Sequence, residues 1–133
     1  MNYSIIVPVY NRPDEVDELL QSLVRQTMKD FEVIIVEDGS HIPCKDICAK
    51  YADVLDLHYY YKDNSGPGQS RNYGADRSHG EWLIILDSDV VLPDGYLQAI
   101  NEELTPQSPL LLLAVPMPRT PLSHPSRRPY PTA

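Results

Sequence analysis

The chain has 133 residues and a formal net charge of −8, a length that suits one small domain. The acidic balance argues against nucleic acid or an anionic membrane surface as the main partner. No segment approaches the roughly 20 consecutive apolar residues of a membrane-spanning helix, and a strand-like run follows Met1 directly. We therefore expect a cytoplasmic protein without a transmembrane segment.

The first half of the chain alternates apolar runs with a helical pattern. Residues 4–9 and 31–36 are nearly continuous apolar runs, which is typical of strands buried on both faces. Between them, apolar residues recur at helical spacing from Val16 to Val24, so we predict an amphipathic helix that begins at Pro13 and ends near Thr27. A short helix is predicted over residues 45–51.

The second half continues the alternation. We predict a strand over 55–61, a loop over 64–68, a helix over 69–78 with Tyr73 and Ala75 facing inward, a strand over 82–86 and a helix over 96–104. Strands that alternate with helices through short loops indicate an α/β fold with a mostly parallel sheet flanked by helices.

Polar loops follow each of the four predicted strands. They comprise residues 10–11, 37–38, 64–68 and 87–89. Ligands of parallel α/β sheets bind at the carboxyl ends of the strands, so the sequence predicts a single functional edge.

Asp87 and Asp89 form the most informative of these loops. In an extended chain, residues two apart point the same way, so both carboxylates can converge on one object. Oxygen ligands favour Mg²⁺ or Mn²⁺, which predicts a metal site. The alternative is a polar turn that caps the next helix.

The last 28 residues differ in composition from the rest. Eight of the 13 prolines lie from Pro106 onward, and that segment has no Asp or Glu. We assign residues 1–105 to the domain and 106–133 to an atypical proline-rich tail, which a shift of reading frame or disorder would explain. A genuine proline-rich, partner-binding tail is the alternative.

Five motifs in order carry a family resemblance. They are Val7–Asn11, Ser22–Thr27, Phe31–Ser40, Gly66–Asn72 and Leu86–Asp89. Together, over roughly residues 1–105, they resemble family 2 glycosyltransferases of the GT-A fold. The resemblance implies a Rossmann-like sheet, truncated in this chain, and a nucleotide-sugar donor, expected to be a UDP-sugar.

The resemblance also implies roles for individual residues. The backbone around Pro8 and the side chain of Tyr10 would border the uracil, and Asp38 would accept its ring N–H. Gly66 and Arg71 would serve the diphosphate or ribose at a helix N-terminus. Asp87 would lie near the ribose or metal, and Asp89 would bind Mn²⁺ or Mg²⁺ directly. Asn11 and Ser88, within the same motifs, complete the set of nucleotide-binding candidates.

The implied reaction is metal-dependent, inverting transfer to an unknown sugar or lipid-linked acceptor, in the latter case at the inner membrane face. No candidate for the general base is found, so this chain is expected to be an incomplete form. One alternative is a non-catalytic nucleotide-binding remnant. A sugar-nucleotidylyltransferase, the other alternative, would need a Gly-rich loop after the first strand, where residues 8–12 contain no glycine.

Overall fold

The computed structural model describes residues 3–103 and 111–113. The elements, in chain order, are β1 (Tyr3–Val9), α1 (Pro13–Val24), β2 (Phe31–Asp38), α2 (Lys45–Tyr51), β3 (Leu57–Lys62), α3 (Pro67–Asp76), β4 (Trp82–Ile85), α4 (Tyr96–Glu103) and β5 (Leu111–Leu113). None of the helices in these ranges is long and apolar enough to cross a membrane.

The strands form one parallel sheet in the order β3-β2-β1-β4-β5. This arrangement confirms the predicted α/β fold with a parallel sheet and flanking helices. The chain moves outward in one direction from β1 to β3 and then crosses to the other side of β1 to form β4. The strand order therefore reverses between β1 and β4, and such a reversal is where parallel α/β sheets bind ligands.

The two faces of the sheet pack against different helices. Alternate residues of β1 and β2, among them Ile5, Val7 and Val33, join the larger core cluster with Leu19 and Leu97 of the helices α1 and α4. The intervening residues form a smaller cluster on the side of α3. Because both faces are buried, β1 and β2 are nearly continuous apolar runs rather than alternating ones.

Helix α3 approaches the sheet closely because its inward residues are small. Its buried positions are Ser70 and Gly74, and a Cβ on Gly74 would lie 2.6 Å from Cγ2 of Ile6. Tyr73 and Ala75, which we predicted to face inward, are half-buried and pack at the margin of the smaller cluster. The helix begins at Pro67, two residues earlier than predicted, because proline suits the first helical turn.

A short strand, β5, lies inside the segment that the sequence analysis assigned to the tail. It pairs with β4 through the register Leu83↔Leu111 to Ile85↔Leu113. It was not predicted, because the density of prolines in this segment argues against a helix or a central strand. Residues 104–110 and 114–133, which include the rest of the tail, lie outside the described residues. The proposed boundary at residue 105 therefore stays a prediction.

Candidate functional site

Asn11 joins the first two loops at the carboxyl edge of the sheet. Its Oδ1 accepts the backbone N–H groups of His41 and Ile42 at 2.7 and 3.0 Å. Its own backbone N–H donates to Ser40 Oγ at 2.8 Å. Its φ is +53°, a left-handed conformation that asparagine tolerates better than most residues. Asn11 thus holds the loop after β1 against the loop after β2 through hydrogen bonds within the protein.

Glu37 anchors the second loop from below. The residue is fully buried, and its carboxylate accepts the backbone N–H of Cys44 at 2.8 Å, the hydroxyl of Tyr59 at 2.9 Å and the hydroxyl of Ser40. Burial raises the pKa of Tyr59, and the bond to Glu37 raises it further. Sequence reasoning saw Glu37 only as part of a motif, whereas its contacts show that it holds the loop in place.

Asp38, the predicted base-reading residue, is held on both oxygens. Oδ1 accepts Lys62 Nζ at 2.7 Å and the backbone N–H of Ser65 at 2.8 Å, and Oδ2 accepts the backbone N–H of Gly66 at 2.9 Å. A carboxylate has about four acceptor sites, so Oδ2 can accept a further donor. Because Asp38 is fully buried, a base would reach that oxygen only after the groups around it moved.

Lys62 was missed as the partner of Asp38, although the sequence contained a signal for it. The two residues are paired across β2 and β3, and each lies at the carboxyl end of its strand. Opposite charges at matched strand ends predict an ion pair once the parallel register is known.

A cleft of about 540 Å³ opens beside the N-terminal half of α3. Its lining includes Gly66 and Arg71 from the predicted site, together with Ser65, Pro67, Gly68, Gln69, Asn72, Ala75 and Ile85. The volume is in the range of small-molecule sites. The free N–H groups and positive end of α3 favour an anionic ligand there.

Arg71 brings unused hydrogen-bonding capacity to this cleft. Its Nε is buried and has no hydrogen-bond partner among the described residues. A buried donor left without a partner costs stability, so such groups often mark a place where a ligand completes the bonding. Gln69 and Asn72, which sequence reasoning did not select, add amide groups to the same lining.

The Asp87–Asp89 turn follows Ile85, which itself lines the cleft. Asp87 and Asp89 are exposed, whereas Ser88 between them is buried. The Ser88 hydroxyl donates to Glu15 Oε1 at 3.2 Å, so it faces α1. The two carboxylates therefore alternate with an inward residue, as expected for a shared direction.

Three charged groups of the site interact electrostatically. Partial burial of its carboxyl group raises the pKa of Asp87, the carboxylate of Asp89 adds to the rise, and the positive charge of Arg71 opposes it. A cation between the two carboxylates would relieve their repulsion, and their oxygens suit Mg²⁺ or Mn²⁺. The residues present thus fit a divalent ion.

The remaining predicted residues lie at the same edge but away from the cleft lining. Pro8 is buried in β1 opposite Val36, and Tyr10 is half-buried immediately after the strand. The structure brings all the predicted residues to one edge of the sheet. Only Gly66 and Arg71 among them line the cleft itself.

The fold and this edge define an α/β domain with a cleft suited to an anionic ligand at the reversal of strand order. Comparison with known proteins identifies the family of this domain. The chain matches the Glycosyl transferase family 2 profile over residues 4–117. The chain belongs to that family, which confirms the resemblance seen in the sequence.

Individual relatives agree with this assignment. An uncharacterized glycosyltransferase of Haemophilus influenzae is 44% identical over 93 residues, covering 65% of this chain and 29% of that protein. The validoxylamine A glucosyltransferase of Streptomyces hygroscopicus subsp. jinggangensis is 34% identical over 101 residues, covering 73% of this chain and 24% of that protein. The chain therefore spans less than a third of the length of these relatives.

Solved structures show the same fold. The TarS protein of S. aureus, residues 1–349, crystallised with UDP-GlcNAc, superposes with a TM-score of 0.73 and is 35% identical, covering 77% of this chain and 30% of that one. The same TarS fragment has been solved with UDP, with 34% identity and a TM-score of 0.73.

Proposed function

We propose that residues 3–103 form the donor-binding part of a glycosyltransferase that uses a nucleotide-sugar, namely a UDP-sugar. The observation that carries the proposal is the cleft beside α3, which Arg71 lines with an unsatisfied Nε while its charge acts on Asp87. A diphosphate can accept from Arg71 and the helix N-terminus on one side. The TarS complexes with UDP and UDP-GlcNAc support uridine as the base.

The two exposed carboxylates would hold Mn²⁺ or Mg²⁺. When bound, the ion would act as a Lewis acid on the charge that develops on the departing diphosphate. Arg71 would stabilise the same charge and orient the diphosphate. Pro8, Tyr10 and Asp38 would border the base, in the case of Asp38 through the remaining acceptor site of Oδ2.

We further propose inverting displacement at the anomeric carbon, in which a separate carboxylate deprotonates the acceptor hydroxyl. This chain spans less than a third of the length of its relatives. We therefore propose that the acceptor-binding part and that base lie in the whole protein outside the donor-binding part. Two further points stay predictions: the acceptor is a sugar or a lipid-linked sugar, and the protein acts at the inner membrane face.

A non-catalytic nucleotide-binding role is the second candidate function. The short coverage of the relatives favours this role for the chain in isolation.

Calorimetry of UDP binding tests the proposal. We expect UDP to bind more tightly with Mn²⁺ than without it, and Asp89→Ala to lose at least about tenfold in affinity with the metal present. Asp53→Ala removes the same charge from an exposed turn that is distant in sequence from Asp89. This control variant should bind UDP as the unaltered protein does. GDP at the same concentrations tests the choice of base.

Each result bears directly on the proposal. Absence of heat with UDP in a protein shown to be folded would contradict nucleotide binding, and equal binding by Asp89→Ala would contradict a role for the turn. Binding followed by release of free sugar from UDP-GlcNAc would favour an enzyme. Binding without release, in both this chain and a full-length relative, would favour the non-catalytic role.

A further inference from the structure

A second cluster of chemically active side chains lies at the opposite end of the strands. Glu32 is the second residue of β2, His58 is the second residue of β3, and Asp56 precedes that strand. His79, from the connection between α3 and β4, completes the group. None of these residues takes part in the donor site, because their strand ends face away from the cleft.

The ligand atoms of Glu32, Asp56 and His58 are spaced as ligands of one small ion, and Nδ1 of His79 contacts Glu32 beside them. Glu32 Oε1 lies 3.4 Å from His58 Nε2 and 3.2 Å from His79 Nδ1, and His58 Nε2 lies 3.0 Å from Asp56 Oδ1. The ligand atoms of Glu32, Asp56 and His58 all fall within 4.8 Å of one another. A tetrahedral zinc ion with bonds of about 2.0–2.1 Å separates neighbouring ligands by about 3.3 Å.

The supporting contacts orient the central carboxylate. Glu32 is fully buried, and its Oε2 accepts the Ser4 hydroxyl at 2.5 Å and the backbone N–H of His79 at 2.6 Å. Oε1 is thereby turned toward the two imidazoles. Hydrogen bonds that fix a ligand in this way are typical of built metal sites.

The turn that carries His79 is also fixed against β1. Gly80 donates its backbone N–H to Ser4 Oγ at 2.8 Å, and a Cβ at this position would lie 2.7 Å from the backbone N of Ser4. Only glycine fits so close an approach. The side chain of His58 is partly exposed and those of Asp56 and His79 are exposed, which leaves a path from solvent.

We propose that Glu32, Asp56 and His58 bind a zinc-class divalent ion, separately from the donor site, and that the exposed side chain of His79 turns toward the same ion as its fourth ligand. Two neutral imidazoles and two carboxylates carry a charge of −2, which matches the ion. Imidazole with carboxylate suits Zn²⁺, whereas the oxygen-only turn at Asp87–Asp89 suits Mg²⁺ or Mn²⁺. The ion would tie β2 and β3 to the turn before β4, so its role would be structural.

Cobalt titration of the full chain, stripped of metal by a chelator, tests the site. We expect one equivalent of Co²⁺ to give the strong visible bands of tetrahedral coordination, and one equivalent of Zn²⁺ to abolish them. His58→Gln and His79→Gln should each weaken binding at least about 100-fold, since even losing a supporting partner costs 10–100-fold. His41→Gln alters an exposed loop histidine and should titrate normally.

Two further measurements keep the test decisive. The bands should persist in Asp89→Ala, because an oxygen-only site gives weakly absorbing octahedral cobalt. Zn²⁺ should raise the melting temperature of the unaltered protein and of His41→Gln but not of the double variant His58→Gln/His79→Gln, whose fold is checked by circular dichroism.

The proposal would be overturned by folded protein that shows no tetrahedral bands and no stabilisation by Zn²⁺. It would also be overturned by bands that survive in the double variant. Thiolate-to-cobalt charge-transfer absorption would assign the binding to Cys44 and Cys48 instead, which would equally contradict it.

Discussion

Two acidic pairs lie at the carboxyl edge of the sheet, and their surroundings differ sharply. Glu37 and Asp38 are fully buried, and each accepts at least three hydrogen bonds from other groups of the protein. Asp87 and Asp89 are exposed, and their mutual repulsion contributes to the raised pKa of Asp87. The sequence presents both pairs in the same way, as carboxylates that follow an apolar strand.

The difference separates structure from ligand binding. The bonds to the first pair hold the loops in place, so its removal should act mainly on stability. The second pair consists of exposed residues in the turn beside the cleft, so its removal should act mainly on binding. The following variants test this division in order of their expected effect on stability.

Asp38→Asn should have the largest effect, a loss of about 3–5 kcal/mol in the free energy of unfolding. The change leaves the Lys62 ammonium, which is only 11% exposed, without its counter-charge. Urea denaturation measures the loss, and Asp63→Asn, an exposed neighbour of Lys62, serves as the control. A loss below about 1 kcal/mol would contradict the structural role of Asp38.

Glu37→Gln should cost about 1–3 kcal/mol. The NH₂ group of the glutamine is itself a donor, so it cannot accept from one of the three groups that donate to Glu37. The remaining hydrogen bonds become weaker because their acceptor no longer carries a negative charge. Glu81→Gln, at an exposed position, makes the same chemical change without these partners. If both variants lost the same stability in urea, the effect would be one of general charge and not of the Glu37 bonds.

Tyr59→Phe should cost about 1 kcal/mol at neutral pH and flatten the decline of stability at alkaline pH. Because its pKa is raised in the folded state, the phenol of Tyr59 contributes stability that is complete below its unfolded pKa of about 10 and is lost as pH rises above that value. Tyr3 and Tyr51 share the effect, since burial raises their pKa values too.

Urea midpoints at neutral and at alkaline pH measure this difference. Tyr60→Phe, on the opposite face of β3, makes the same chemical change away from Glu37 and is the matched control. An identical decline in Tyr59→Phe and the unaltered protein would show that Tyr59 does not contribute to it.

Asp89→Asn should have the smallest effect on stability, within about 0.5 kcal/mol, because it is exposed and its removal relieves repulsion with Asp87. Metal-dependent UDP binding should nevertheless fall at least about tenfold. Urea denaturation and calorimetry on one preparation compare the two effects. A stability loss close to that of Asp38→Asn would show that Asp89, like Asp38, stabilises the fold, which would contradict the division between the two acidic pairs.

The fold was largely predictable because β1 and β2 are buried on both faces and α1 has a clear amphipathic pattern. The same apolar signal could not find β5, a three-residue edge strand among prolines. Helix α3 was harder to orient because Ser70 and Gly74 face the sheet, and small residues give little hydrophobic periodicity.

The site was predictable in its location but less so in its internal contacts. Parallel strands bring their carboxyl ends together, so the sequence alone predicted that Asp38, Gly66 and Asp87 lie at one edge. It did not reveal that Asp38 is held by Lys62 and two backbone N–H groups, because the first contact requires the register of β2 and β3 and the others require the position of the loop before α3. The cluster around Glu32 could not be predicted from the sequence for a related reason. Asp56 and His58 are close in the sequence, but all other pairs in the cluster are more than 20 residues apart.

Backbone hydrogen exchange with and without UDP and Mn²⁺ tests the central claim, that the donor nucleotide binds at the carboxyl edge beside α3. We predict protection of residues 65–72 and 87–89 on binding, with no change at residues 56–58 and 79–80 on the opposite edge. Protection confined to that opposite edge, or binding of UDP without protection of either segment at the carboxyl edge, would contradict the account.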